Sequence, residues 1–391
     1  MCYTHNVAFY PKGRNNMENM TYESIKEKID GCPDGLRFAD CTDEPIKLYG
    51  TRVENGVYAK DFIRLPHDCV CGDGVDDLRH ISTGMRVRFI TDSNRLAVLG
   101  KTAAVGAFEE KYGFDVRVKY ADGYMQSYHA MRNNIPCDSP MTSDGESLTY
   151  RERKASLYCG KYVTLMGGKK EIEILFPHYC ETKMLKIGVA ENASILPPKP
   201  YSVAKPVVFF GSSITQGIRA SRPASTYEAQ VSHMLDCDYI NLGFSGNCRA
   251  QKPVLDYIKT LDMSAFVYDY DHNAPDPEFL RNTHEPFFRE LREKFPTLPV
   301  IFISKPDYLC VERDGALRRN IIYTTYSNAL SKGDRNVYFI DGETLFRKDG
   351  VDPAICTFDG CHPNDLGFWC MAGSVAETLA KALERRAALC E

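Results

Sequence analysis

Four prolines fall within the twelve residues Ile195–Pro206 (ILPPKPYSVAKP), and the chain has a different texture on either side of them. Proline fixes φ and lacks an N–H, so this stretch disfavours helix and is out of place in a central strand. It reads as a linker. At about 150 residues per domain, a chain of 391 residues also favours two domains. The expected division is an N-terminal extension over 1–35, a first domain over 36–194, the linker over 195–206 and a second domain over 207–391.

Before the linker the segments are short and often alternate polar with apolar. MRVRFITD (Met85–Asp92), DVRVKYADG (Asp115–Gly123), KYVTLM (Lys161–Met166), KEIEILF (Lys170–Phe176) and KMLKIGV (Lys183–Val189) all read as strands, with Gly, Asp and Asn between them. That pattern predicts an antiparallel β-sandwich. TYESIKEKID reads as a short helix with Thr21 as N-cap. The first 20 residues carry no periodicity.

After the linker, near-continuous apolar strands alternate with helical stretches. The strands are VVFF from Val207, DYINLGF (Asp238–Phe244), AFVYDY (Ala265–Tyr270), PVIFISKP (Pro299–Pro306) and VYFIDG (Val337–Gly342); a long helix closes the chain. This predicts a parallel sheet covered by helices on both faces, with chemistry in the loops at the strands' carboxyl ends.

Four segments in or near such positions carry candidate residues. GSSITQG (Gly211–Gly217) has no Lys after its second Gly, so it is not a phosphate-binding loop, and Thr215 stands where a G-x-S-x-G elbow needs Gly. Ser213 at a strand end could still be a nucleophile, or part of a Ser/Thr-rich helix cap. SGN (Ser245–Asn247) offers a backbone N–H at Gly246, and DHNAP (Asp271–Pro275) offers the Asn273 amide; both are also ordinary turn chemistry. In FDGCHPNDLGF (Phe358–Phe368), Asp359 and His362 are three apart. One turn can set the carboxylate against one imidazole nitrogen and leave the other to face a serine.

Together, and in this order, GSSITQG, GFSGN, DHN and DGCHP resemble the SGNH, or GDSL-like, hydrolases, named for a Ser, Gly, Asn and His in four successive blocks. The resemblance runs from Lys205 to the C-terminus. Ser212 stands where the family usually has Asp, and aligning the Gly-x-Ser block makes Ser213 the nucleophile. The resemblance implies a three-layer α/β/α, flavodoxin-like domain with Ser213, Asp359 and His362 as the catalytic set. The oxyanion hole would be the N–H groups of Ser213 and Gly246 with the Asn273 amide. His272, Arg249 and Asp271 are candidate substrate contacts. GVDDLRH (Gly74–His80) and the preceding sandwich, jelly-roll-like, are similar to a two-domain subgroup that includes bacterial carbohydrate esterases.

The implied activity is removal of a short acyl group, most simply acetyl, from a carbohydrate or small polar ester. A lipase, lysophospholipase or thioesterase, an acyltransferase, and a non-catalytic carbohydrate-binding protein are the alternatives. The scheme requires no cofactor and no metal; Cys69 and Cys71 form a lone C-x-C, short of a four-ligand zinc site. A net charge of −4 gives no basic field for nucleic acid. No apolar run approaches the ~18 residues of a membrane span. Fifteen scattered cysteines and an N-terminus without a signal-peptide pattern predict reduced thiols and a cytoplasmic location. Oligomeric state is left open. Asp269 could tie loops together, orient Asn273 or touch substrate. His233 is expected to be structural, and Tyr270 and Trp369 to be packing residues. The sandwich is expected to wall the cleft rather than bind sugar by itself.

Overall fold

The computed structural model describes residues 20–103, 113–130, 157–306 and 314–390, so the opening residues without periodicity lie outside it. The first domain contains β1 (Leu36–Asp40), β2 (Lys47–Tyr49), β3 (Val53–Glu54), β4 (Val57–Tyr58), β5 (Arg86–Thr91), β6 (Arg95–Ala103), β7 (Phe114–Tyr120), β8 (Met125–Ala130), β9 (Leu157–Thr164), β10 (Lys170–Leu175), β11 (Glu181–Ala190) and β12 (Ile195–Leu196). One antiparallel sheet has the order β1-β11-β6-β9 and the other β12-β5-β10-β7-β8, with β2 also on β5; β3 and β4 form a separate hairpin. The sheets enclose Val87, Phe89, Leu96, Val98, Val116, Ile172, Ile174 and Ile187. This is the sandwich that the alternating pattern predicts.

The sequence reading did not single out β6, and the reason is its lack of alternation. Its Leu96 and Val98 face the sandwich core, while Ala97 and Leu99 pack under Ile25, Ile29 and Leu36 of the N-terminal extension. Burial on both faces removes the period-2 signal. The extension's short helix, Tyr22–Lys26, is capped by Thr21, whose hydroxyl accepts the Ser24 N–H at 3.3 Å.

The second domain has a parallel sheet of β13 (Val203–Gly211), β14 (Cys237–Gly243), β15 (Ala265–Asp269), β16 (Val300–Ile303) and β17 (Val337–Ile340), in the order β14-β13-β15-β16-β17. This is the flavodoxin-like order, with its switch point between β13 and β15. The strand expected to begin at Val207 starts at Val203, so Pro206 lies inside a central strand. The β13–β14 register shifts between Val203 and Val207, which puts the proline where the ladder is already interrupted. Helices Tyr227–Leu235 and Asp365–Cys390 cover one face, and Lys252–Ile258, Pro277–Lys294 and Gly315–Ser331 the other. No helix among the described residues is long and apolar enough to cross a membrane.

The sandwich keeps a core of its own, but one segment of the first half packs into the core of the parallel sheet. Leu65, Cys69, Val75, Leu78 and Ile81, from the stretch between β4 and β5, are buried in one cluster with Phe210, Leu242, Phe244 and Tyr268 of the parallel sheet. Arginines from the first domain extend this contact. Arg64 is fully buried and donates to the carbonyls of Gly243 (2.7 Å), Asn241 (3.1 Å) and Leu78 (2.6 Å). Arg86, on the β5 face opposite Val87, pairs with Asp238 and donates to the Tyr239 carbonyl. A charged group in such a place needs its donors matched, and here backbone carbonyls take both terminal nitrogens of Arg64 while a carboxylate pairs with Arg86.

Candidate active site

The nucleophile turn is built by the first strand of the parallel sheet. β13 ends at Gly211, and a one-turn helix, Ser213–Gln216, begins two residues later. Ser212 is its N-cap, accepting the Ile214 N–H at 3.2 Å. The two serines therefore divide their work: Ser212 shapes the turn, and Ser213 presents its hydroxyl. Ser213 is only 5% exposed, and its Oγ lies 3.0 Å from His362 Nε2. His362 Nδ1 lies 2.9 Å from Asp359 Oδ2, so with the proton on Nδ1 the ring leaves Nε2 as an acceptor facing Ser213.

Asp359 is bound on both oxygens. Besides the imidazole, the backbone N–H groups of His362 (2.8 Å) and Cys361 (3.1 Å) donate to Oδ1. Burial pushes the carboxyl up, but these bonds and the imidazole outweigh it and hold Asp359 at about 2.

The second block is tied to the nucleophile turn, and the third to the second. Gly246 has φ of 69° in the left-handed region, which a glycine adopts freely, and it is exposed. The preceding Ser245 N–H is held by Gln216 Oε1 at 2.9 Å, linking this loop to the nucleophile turn. Asn273 Oδ1 accepts the Cys248 N–H at 3.2 Å. Its amide orientation is thereby set, and the NH2 end is left as a donor. The first domain reaches this loop as well. Gln251 Nε2 donates to Asp73 Oδ2 at 2.8 Å and to the Asn247 carbonyl. A Cβ on Gly74 would come within 2.5 Å of Asn247 Oδ1, so any larger residue there would push the Asn247 side chain aside.

The remaining sequence candidates fall out differently. His272 lies against the site. Both its ring nitrogens are buried with no hydrogen-bond partner among the described residues, and burial, with Lys305 and His362 nearby, pushes it down to about 3, so it is neutral. Arg249 is exposed beside the second loop, with Nη2 at 3.5 Å from the Gly246 carbonyl. Asp271 is 1% exposed and accepts the Lys305 N–H at 2.8 Å; it braces a loop and does not present itself to substrate. Asp269 accepts from Thr215 at 2.8 Å and Tyr227 at 3.2 Å, so it ties the nucleophile turn to the sheet. Tyr270 is buried, as expected. Trp369 is not a packing residue: it is 53% exposed, because the closing helix buries Phe368 and Cys370 and turns Trp369 outward. His233, likewise, sits on the open side of its helix.

Several contributors escaped the sequence reading. Arg64, Thr83 (whose hydroxyl donates to the Gln216 carbonyl at 2.9 Å), Gln216 and Arg219 all touch the blocks that carry the candidate residues. Only Gln216 carried a local signal, as part of GSSITQG.

Comparison with known proteins agrees with this architecture. Residues 204–380 match the GDSL-like lipase/acylhydrolase family, and residues 36–195 match the N-terminus of the SGNH-hydrolase-type esterases. No curated protein matches the chain. Among solved structures, a GDSL-like lipase from Bacteroides ovatus is 25% identical with a TM-score of 0.71, over 89% of this chain and 98% of that one. A salicylyl-acyltransferase from a tetracycline biosynthetic pathway is 18% identical with a TM-score of 0.66, over the same 89% and 98%. An acetyl xylan esterase from the rumen bacterium Butyrivibrio proteoclasticus is 12% identical with a TM-score of 0.53, over 89% and 99%. The last two show a shared fold. With both of its halves matched and the two-domain arrangement in common, the chain belongs to the SGNH (GDSL-like) hydrolase superfamily and is a carboxylic ester hydrolase.

Proposed function

We propose that the protein is a serine esterase that removes short acyl groups, acetyl in the simplest case, from a carbohydrate or similar small polar ester through an acyl-enzyme. The observation that carries this reading is the continuous array Ser213 Oγ–His362 Nε2 (3.0 Å) and His362 Nδ1–Asp359 Oδ2 (2.9 Å).

A serine hydroxyl is a weak nucleophile until a base takes its proton. His362 Nε2 takes the proton as Ser213 Oγ attacks the ester carbonyl. Asp359 keeps the other ring proton on Nδ1 and stabilises the imidazolium. Charge on the tetrahedral oxygen is met by the N–H groups of Ser213 and Gly246 and by the Asn273 amide. Collapse breaks the bond to the alcohol, which leaves with the proton from His362. Water, activated by the same imidazole, then releases the acid. Support for a short, polar ester comes from the loops that carry the other candidate residues, where Arg249 lies exposed beside the Gly246 carbonyl and the Asn273 NH2 is left as a donor.

Hydrolysis of a p-nitrophenyl series from acetyl to dodecanoyl tests the reading. Activity is expected to fall beyond acetyl or propionyl. Ser213→Ala should remove about 10⁶ in kcat, and Asn273→Ala roughly 10²–10³. A preference for long chains would replace it with a lipase reading, and transfer products on adding a sugar acceptor would replace it with an acyltransferase. Activity indifferent to Ser213→Ala would remove the serine mechanism.

A further inference from the structure

Arg219 is a strained and uncommitted cation beside the candidate triad. Its φ is 69°, in the left-handed region, where a bulky side chain is uncommon. It follows the nucleophile turn directly: the Ile218 N–H donates to the Ser213 carbonyl at 2.9 Å. The segment after it is fastened to the closing helix through the Ser221 N–H and Asp365 Oδ1, 2.8 Å. The strain therefore sits between two anchored points and aims one side chain.

That side chain goes to the His362 loop. The Arg219 guanidinium lies 4.4 Å above the Phe358 ring, and its Nε is 3.8 Å from Asp359 Oδ2. Among the described residues, this distant contact with an already fully bonded carboxylate is its sole ion pair. Phe358 is 65% exposed, yet its backbone is rigid, with its N–H donating to the His362 carbonyl at 2.8 Å. An exposed apolar ring and a partly exposed guanidinium thus stand next to the base.

Chemistry says which end of a substrate reaches them. The oxyanion donors, Gly246 and Asn273, lie on the acyl side. When the tetrahedral intermediate collapses, the C–O bond to the alcohol breaks, and that oxygen takes the proton from His362 Nε2, so it must lie against the His362 loop. Resting on the proposed esterase function, we propose that Phe358 and Arg219 form the alcohol-side subsite, and that it takes a ring-bearing alcohol with a carboxylate, such as a sugar acid. The ring packs on Phe358, and the guanidinium meets the carboxylate as a fork.

The test compares 4-acetoxybenzoate with 4-acetoxybenzamide, which share an acyl group and a ring and differ in charge. The readout is the ratio of their kcat/KM values, in which intrinsic leaving-group differences cancel between variants. Arg219→Gln is expected to lower the benzoate-to-benzamide ratio by about tenfold or more, through KM for the benzoate. Arg219→Lys should retain part of it, and the wild-type ratio should fall as salt is raised to ~1 M, where the screening length is about 3 Å. Phe358→Ala should raise KM for both esters. An unchanged ratio in Arg219→Gln, or one insensitive to salt in the wild type, overturns the proposal. So does an equal loss of kcat on both esters, which would make Arg219 a residue that acts through Asp359. Turnover by Ser213→Ala would instead defeat the esterase reading, whatever the ratio shows.

Discussion

The two loops that bring Ser213 and His362 together are held in opposite ways. The Ser213 turn is buried and braced from far away in sequence: Asp269 holds Thr215, Tyr227 adds to the same carboxylate, and Thr83 of the first domain holds the Gln216 carbonyl. Arg64 secures the end of the neighbouring β14. The Asp359–His362 loop is more open and holds itself. Its bonds run from Asp359 to residues two and three positions on, and from Phe358 to His362. The nucleophile thus depends on the whole molecule for its position, whereas the base carries its own support with it. Damage to the first loop should appear as lost stability, and damage to the second as lost rate.

Asp359→Asn is the sharpest way to separate the two. It preserves the loop's shape but favours the wrong imidazole tautomer, so kcat should fall by about 10⁴ while thermal melting moves little. A large drop in melting temperature would show the loop to be less self-contained than its bonds indicate. Arg64→Met should do the reverse. It removes three hydrogen bonds to buried carbonyls, of which Leu78's still accepts the Ile81 N–H at 3.1 Å, so denaturant titration should show a loss of about 1–3 kcal/mol. A stable variant with low activity would make Arg64 a brace of the Gly246 loop and little else.

Asp269 gives a smaller, pH-dependent effect. Burial pushes its carboxyl up to about 7, against the hydrogen bonds from Thr215 and Tyr227 that favour ionisation. An unfolded aspartate titrates near ~3.9, so between about 4 and 7 the folded chain binds the extra proton, and stability falls as pH rises through that window. Asp269→Asn keeps an acceptor for both hydroxyls and should flatten this slope in melting temperature against pH. An unaltered slope would mean that Asp269 is ionised throughout. Thr83→Val, which removes one hydroxyl bond between the domains, should be the mildest at about 1 kcal/mol.

The same contrast governs what could be read from the sequence. Asp359 and His362 were legible because their relation is one turn long. Ser213, Gly246 and Asn273 stood out as candidates because each lies in a loop after an apolar strand of a parallel sheet, while their roles came from the resemblance. The Ser/Thr-rich turn signalled a helix cap, and the structure puts that cap on Ser212. The contacts of Arg64 and Thr83 were not legible: they cross from one half of the chain to the other, and no spacing in either half announces them. Nor was the placement of Leu65–Ile81 in the parallel sheet's core. Those residues look like a loop of the first domain, since the helix they contain is only Gly74–Leu78. Trp369 misled because residue type suggested burial, while the phase of the closing helix decided it. Arg219 offered no signal at all, since a positive φ in a non-glycine residue belongs to the folded backbone.

The sharing of Leu65–Ile81 between the halves sets an order of events in synthesis. The segment leaves the ribosome before any strand of the parallel sheet exists. At roughly 5–20 residues per second, its apolar side chains wait on the order of 10 s for β13 and β14 to arrive. During that interval the sandwich can close, but the segment cannot dock. The nascent chain therefore passes through a stage in which a finished N-terminal module displays a sticky loop, open to chaperones or to a neighbouring chain on the same message.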